Sequence, residues 1–157
     1  VGVGAEQVSK PAGSFTTKPR GNMTFVYAVA PDHPLTKASQ PLREEDIVRF
    51  PAAVAADTSR SLPPGHAGIF RRQRTVTVAN IDQKIAVQTA GLAVGWLPEA
   101  RVRDQLADGS LKALRVHEPR QAIQLHLARH AEDQGKALMW FWDKLGDSPD
   151  IADWLAP

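Results

Sequence analysis

The 157 residues include no cysteine, which excludes disulfides and thiolate metal sites outright. The absence also fits a reducing, cytoplasmic setting. No apolar run approaches the ~18 residues that a membrane-spanning helix needs, so no membrane partner is expected. The start, VGVGAEQVSK, lacks the basic region and apolar core of a signal peptide. Charge of one sign is scarce as well: 19 basic against 17 acidic residues leave a net of only +2. Gripping a phosphate backbone normally takes a clustered basic stripe, so this balance argues against the chain itself holding nucleic acid. The hydrolase signatures G-x-S-x-G, H-E-x-x-H and S-x-x-K are missing. Gly2-Val3-Gly4 begins a dinucleotide fingerprint, but position 7 is Gln and no helical pattern follows, so no nucleotide cofactor is expected.

What is present is an ordinary globular composition, 43% apolar and 23% charged. The most informative stretch is TVTVANIDQKIAVQTAGLAVGWLP at 75–98. Thr75–Ala79 is β-branched and apolar, which suits a strand. Asn80, with Gln83 three residues on, has the form of an N-cap and capping box. Ile81, Ile85 and Thr89 share one helical face. Gly91 suits a left-handed helix end. Leu92–Leu97 is a second apolar run, and Pro98 opens a further helix. Strand, helix, strand at this length is a βαβ unit. It puts a helix N-terminus at the carboxyl edge of a parallel sheet, where open α/β folds bind ligands.

Along the rest of the chain, 5–24 reads as a polar loop, and VGVGAE as the last half of a strand that began upstream. FVYAVA at 25–30 and PAAVAA at 51–56 read as buried strands. Leu42, Asp46 and Ile47 mark a short polar helix or turn, and 57–74 a long loop. A helix is expected over 98–107, with Val102 and Leu106 inward and Gly109 as its stop, and a strand over 111–116. Ile123, Leu125 and Leu127 alternate with Gln124 and His126, marking a strand with one wetter face. Lys136–Leu145 places Leu138, Phe141, Trp142 and Leu145 on one helical stripe, with Trp142 in the core and Trp140 off it. Strand and helix alternate, which favours a mainly parallel sheet.

Catalytic chemistry is thin. His126 and His130 lie on a strand, about 13 Å apart, too far to share an ion. Asp32-His33 sits between two prolines and reads as a turn. Arg71-Arg72-Gln73-Arg74 reads as a solvated loop. The site-like feature is the helix start at Asn80-Ile81-Asp82, whose free N–H groups favour an anion or carbonyl, although Asp82 already answers the helix dipole. A bare cap and a cap with a ligand are equally compatible with these residues.

The motifs in order are FVYAVAPDHPL (25–35), LREEDIVRFPAAVA (42–55), IAVQTAGLAVGWLP (85–98) and DGSLKAL (108–114). Together they resemble the effector-binding domain of LysR-type transcriptional regulators. The resemblance implies an α/β, two-lobed periplasmic-binding-protein-like fold (type 2) with the first lobe incomplete and an inducer in the cleft. It assigns 1–30 plus 120–157 to lobe one, 31–50 and 115–122 to the crossovers, and 50–116 to lobe two. The family's helix-turn-helix has no counterpart here, so DNA would be met only through a segment absent from this chain. Ligand positions carried over are Ala5 and Glu6, Asp57 and Thr58, Asn80, Ile81 and Asp82, and Gly95 and Trp96. Trp96 could stack on an aromatic ligand or pack in the core. Glu6 and Asp82 suit an amine or hydroxyl donor, whereas many inducers in the family are carboxylic acids. The implied module is no enzyme; it partners a small-molecule effector, aromatic or carboxylic, and a second copy in a homodimer or tetramer. The alternatives are a transporter's solute-binding protein of the same fold, and an α/β enzyme with its catalytic residues elsewhere.

Overall fold

The computed structural model of the chain describes residues 2–5, 15–56 and 68–148. They fall into two compact units, one built from 1–24 and 121–157, the other from 25–120.

In the first unit, β8 (Ile123–His130) is the centre of a three-stranded antiparallel sheet between β1 (Gly2–Ala5) and β2 (Phe15–Met23). Leu125 and Leu127 are buried, in keeping with the alternation expected of β8. The strand β2 corrects the loop expected over 5–24. Its composition is polar and it carries Pro19, but it is an edge strand, where a missing N–H is tolerated, and a register shift between Pro19 and Gly21 absorbs the irregularity. Tertiary pairing along β8 overrides weak local preference here. The helix α4 (Lys136–Asp147) buries Trp142. Lys18 Nζ lies 5.3 Å and Arg129 Cζ 5.2 Å from the Trp142 ring centroid, cation–π contacts on its faces. The Arg20 guanidinium donates to the carbonyls of Gly146 and, at 2.7 Å, Ser148, satisfying the C-terminal end of α4. Phe141, expected inward, is 50% exposed and meets Trp140 edge-on at 5.0 Å.

The second unit is built around β3 (Phe25–Val29), which pairs antiparallel with β6 (Gly95–Pro98) on one side and β7 (Lys112–Leu114) on the other. The strand 25–30 therefore belongs to this unit, not to the lobe built from both chain ends, and 31–50 lies in the same unit. Beside it, β4 (Ala52–Ala55) and β5 (Thr75–Val78) pair in parallel. The helix α2 (Ile81–Thr89) returns from β5 and delivers Val94 as a parallel bridge to Ala52. This is the expected βαβ crossover, and it passes over β4. Gly91, at φ 70°, stops the helix. The sheet is not mainly parallel, however. Only β4 and β5 run parallel among the strand pairs described, because β3 is opposed in direction to both of its partners. Alternation of elements reveals crossovers but not the direction of strands that pair across distant parts of the chain.

Side chains from the two faces of β3 build two cores. Tyr27, Val29, Leu35, Leu42, Ile47, Val94 and Trp96 pack together in one. Ala28, Leu97, Val102 and Leu111 form the other, with Ile81, Ile85 and Leu106 laid against it. Leu106 lies on α3 (Arg103–Ala107), which follows a 3-10 turn at Glu99–Arg101 that takes the place of the expected helix's first turn. A short α1 (Glu44–Ile47) buries Ile47.

His33 caps a 3-10 turn at Pro34–Lys37: the Leu35 N–H donates to its Nδ1 at 3.2 Å, and its ring meets Phe50 edge-on at 4.5 Å. Burial, partly opposed by Asp32, holds its pKa below the usual value, and only the neutral ring can accept at Nδ1. The folded state thus binds a proton less readily than the unfolded chain, so His33 withdraws stability as pH falls below about 6.5. Urea unfolding of His33→Asn, which keeps a cap acceptor, is expected to show a shallower loss between pH 7 and 5 than the parent. Equal slopes would refute the role.

Candidate functional site

The carboxyl edge of the second unit's parallel pair leads straight into the start of α2. The Gln83 N–H donates to Asn80 Oδ1 at 2.9 Å. The Gln83 carboxamide reaches back one residue further than a capping box requires, accepting from the Ala79 N–H at 2.9 Å. Asn80 is exposed and Ile81 half-buried against the core. Asp82 is exposed and accepts from Arg101 Nη2 at 2.6 Å, so its carboxylate is already matched by a cation. Asp82 and Arg101 line an open groove of about 740 Å³ between α2 and α3, with Ile85, Thr89 and Gln105.

The remaining expected residues are scattered. Ala5 ends β1 in the other unit, opposite Leu125. Glu6, Asp57 and Thr58 lie outside the described residues. Gly95 is buried at the start of β6, and because Val94 bridges Ala52 in parallel, the carboxyl end of that strand is Pro98. Gly95 is therefore not at the edge where a ligand would sit. Trp96 is only 7% exposed and meets Tyr27 edge-on at 5.3 Å. It is a core residue, and the stacking role is withdrawn for it.

The residue that pattern reading passed over is Lys84. It lies one turn into α2 and is 5% exposed, and Gln88, one turn further on the same face, is completely buried. Neither Gln88 side-chain polar atom has a hydrogen-bond partner among the described residues. Burial, with the Arg120 charge adding to it, pushes the Lys84 ammonium down to about 8. Arg120 itself lies with its Cζ 3.8 Å from the Phe25 ring centroid, at the end of β3 that pairs with Pro98. The signal was available: 81, 84, 85 and 88 follow the i, i+3, i+4, i+7 spacing of an inward helix stripe. Two of its four positions are polar.

With this geometry in hand, comparison with known proteins is decisive. The family model for the LysR substrate binding domain matches residues 1–149. This chain belongs to that family. Among curated relatives, the HTH-type transcriptional regulator PunR of Escherichia coli is 27% identical over 154 residues, covering 98% of this chain and 50% of PunR. The chain thus spans about half the length of that relative. Among solved structures, the probable transcriptional regulator PA0477 from Pseudomonas aeruginosa aligns with a TM-score of 0.69 at 15% identity, covering 91% of this chain and 47% of the other. The effector-binding domain of QuiR, in complex with shikimate, aligns with a TM-score of 0.68 at 19% identity, over 91% of this chain and 68% of that one. The LysR domain has the periplasmic-binding-protein-like α/β fold, and this chain is a LysR effector-binding domain.

Proposed function

We propose that the chain senses a small molecule at the carboxyl edge of the second unit's sheet and reports it to a DNA-binding segment outside this sequence. The observation that carries the reading is a LysR domain whose helix start at Asn80 stands where open α/β sheets offer backbone N–H groups to ligands. A regulatory module is favoured over a transporter's solute-binding protein because its relatives are regulators, and over an enzyme for the same reason. In this reading the whole protein is a cytoplasmic homodimer or tetramer. The effector acts by binding one arrangement of the assembly more tightly than another. Among the described residues no helix is long and apolar enough to cross a membrane. On the second unit Asn80, Ile81 and Asp82 remain the proposed contacts of the effector, while Ala5, Glu6, Asp57 and Thr58 rest on the family resemblance alone. QuiR's shikimate and BenM's benzoate make hydroxylated alicyclic acids and aromatic acids the first compounds to try.

The test is differential scanning fluorimetry against a panel of organic acids, aromatics, sugars and amines. A ligand at 100 times its Kd is expected to add about 2.7 kcal/mol, which raises Tm by roughly 5–10 °C for a chain of this size. No shift across the panel would overturn the sensing role.

A further inference from the structure

The second unit carries another concavity, well away from the Asn80 start. Backbone pairing runs from β5 through β4, Val94, β6, β3 and β7 to a parallel bridge between Val116 and Leu42. Leu42 therefore stands five strand spacings from β5, on the order of 20 Å across. An open cavity of about 300 Å³ lies there, floored by Leu42, Phe70 and Val116. Leu42 and Val116 are buried, and Phe70 is half-buried against the same core. Three separate stretches of chain build this floor, and each is held. The Leu42 N–H donates to the Arg115 carbonyl and the His117 N–H to the Leu42 carbonyl, both at 2.8 Å. Gln73, only 8% exposed, accepts from the Phe70 N–H at 3.2 Å and donates to the Phe50 carbonyl at 3.0 Å, which ties the Phe70 loop to the chain just past α1. The floor is thus already formed in the free chain, as in most small-molecule pockets. Charge on the rim is lopsided. Glu44 and Glu118 stand on it exposed, and among the described residues neither has an ion-pair partner. Arg43, on the same rim, lies 3.9 Å from Glu45, which offsets its charge. His117 completes the rim, yet no group of three His, Asp or Glu able to hold a metal ion occurs among the described residues.

We infer that this cavity is a second small-molecule site, separate from the Asn80 start, and that it takes an organic cation. An apolar body of one ring or a short chain rests on Leu42, Phe70 and Val116, and its ammonium meets Glu44 and Glu118. The Phe70 ring suits an aromatic body or the flank of the cation. Exposed carboxylates attract weakly through water, so the apolar area carries most of the affinity and the two acids choose the sign of the charge. A bare metal ion would leave the apolar floor unused. The inference does not depend on the sensing role proposed above.

The test is a ¹H–¹⁵N NMR titration of the whole chain at neutral pH and low salt. The probe is phenethylamine, and phenethyl alcohol, methylamine and magnesium chloride are its matched controls. Phenethylamine is expected to shift the amides of Leu42, Glu44, His117 and Glu118 to saturation. The alcohol, which keeps the ring and loses the charge, should bind there about tenfold more weakly. Methylamine and magnesium, which keep the charge and lose the ring, should not saturate these amides. Glu44→Gln and Glu118→Gln lie on exposed positions and should each weaken phenethylamine about threefold, and the double variant about tenfold, the range for exposed ion pairs. An alcohol equal to the amine, methylamine or magnesium equal to it, or a double variant that binds it unchanged would each overturn the inference. Shifts centred on Asn80, Ile81 and Asp82 instead would overturn it while supporting the sensing role. Silence toward phenethylamine overturns it and leaves the sensing role to its own panel.

Discussion

Trp96→Ala is expected to cost about 4 kcal/mol, the range for a large aromatic removed from a packed core. Trp96 is 7% exposed, packs with Tyr27, Val29, Val94 and Leu114, and sets its ring edge-on to Tyr27 at 80°. Truncation deletes that contact and leaves a cavity between β6 and the elements packed on it. Gly68 gives a second handle on the same packing. A β-carbon there would lie 2.5 Å from Trp96 Cδ1, and the residue holds φ 68°, which side chains resist. Gly68→Ala is therefore destabilising in the parent, and less so once Trp96 is alanine, when only the backbone term remains. The four proteins of this cycle, unfolded in urea and followed by circular dichroism, give the coupling directly. Additive costs would mean the two residues do not touch. If Trp96 stacked on an effector instead, its truncation would lower ligand affinity and leave the urea midpoint in place.

That result bears on what could be read from the chain alone. The βαβ unit was legible because each of its signals is local: β-branched Thr75–Val78, the Asn80 cap, and the stop at Gly91. Its place in the sheet was not. Val94 pairs in parallel with Ala52, and the next residue begins an antiparallel ladder with β3, a change of partner that no spacing announces. Likewise β2 exists because β8 is there to pair with it, and FTTKPRGNM carries little of its own alternation. Trp96 follows Gly95 in an apolar run that reads equally as core or as pocket wall, and only its contacts decide. Among the site residues, the Asn80 start could be found because caps have a fixed grammar. Lys84 and Gln88 were hidden by choosing 81, 85 and 89 as the inward stripe, a choice that follows hydrophobicity and passes over polar residues occupying core positions. Such conflicts between pattern and residue type are where function collects.

Lys84→Met is expected to stabilise the protein at pH 7, the reverse of the usual outcome for a buried residue. The folded state pushes the lysine from 10.5 down to about 8, first by burial and then by the Arg120 charge. Below pH 8 the lysine is charged in both the folded and unfolded states, and the full penalty is present. It corresponds to about 3 kcal/mol at 1.36 kcal/mol per pKa unit. Between pH 8 and 10.5 the folded state gives up its proton first, so the parent gains stability as pH rises and the penalty fades. Methionine keeps a similar unbranched stem and carries no charge. Its advantage should therefore be greatest at pH 7 and shrink steadily toward pH 10, as read from urea midpoints at both pH values with unchanged m. A variant less stable than the parent at pH 7, or an advantage that ignores pH, would mean the ammonium already has its partner in the folded chain.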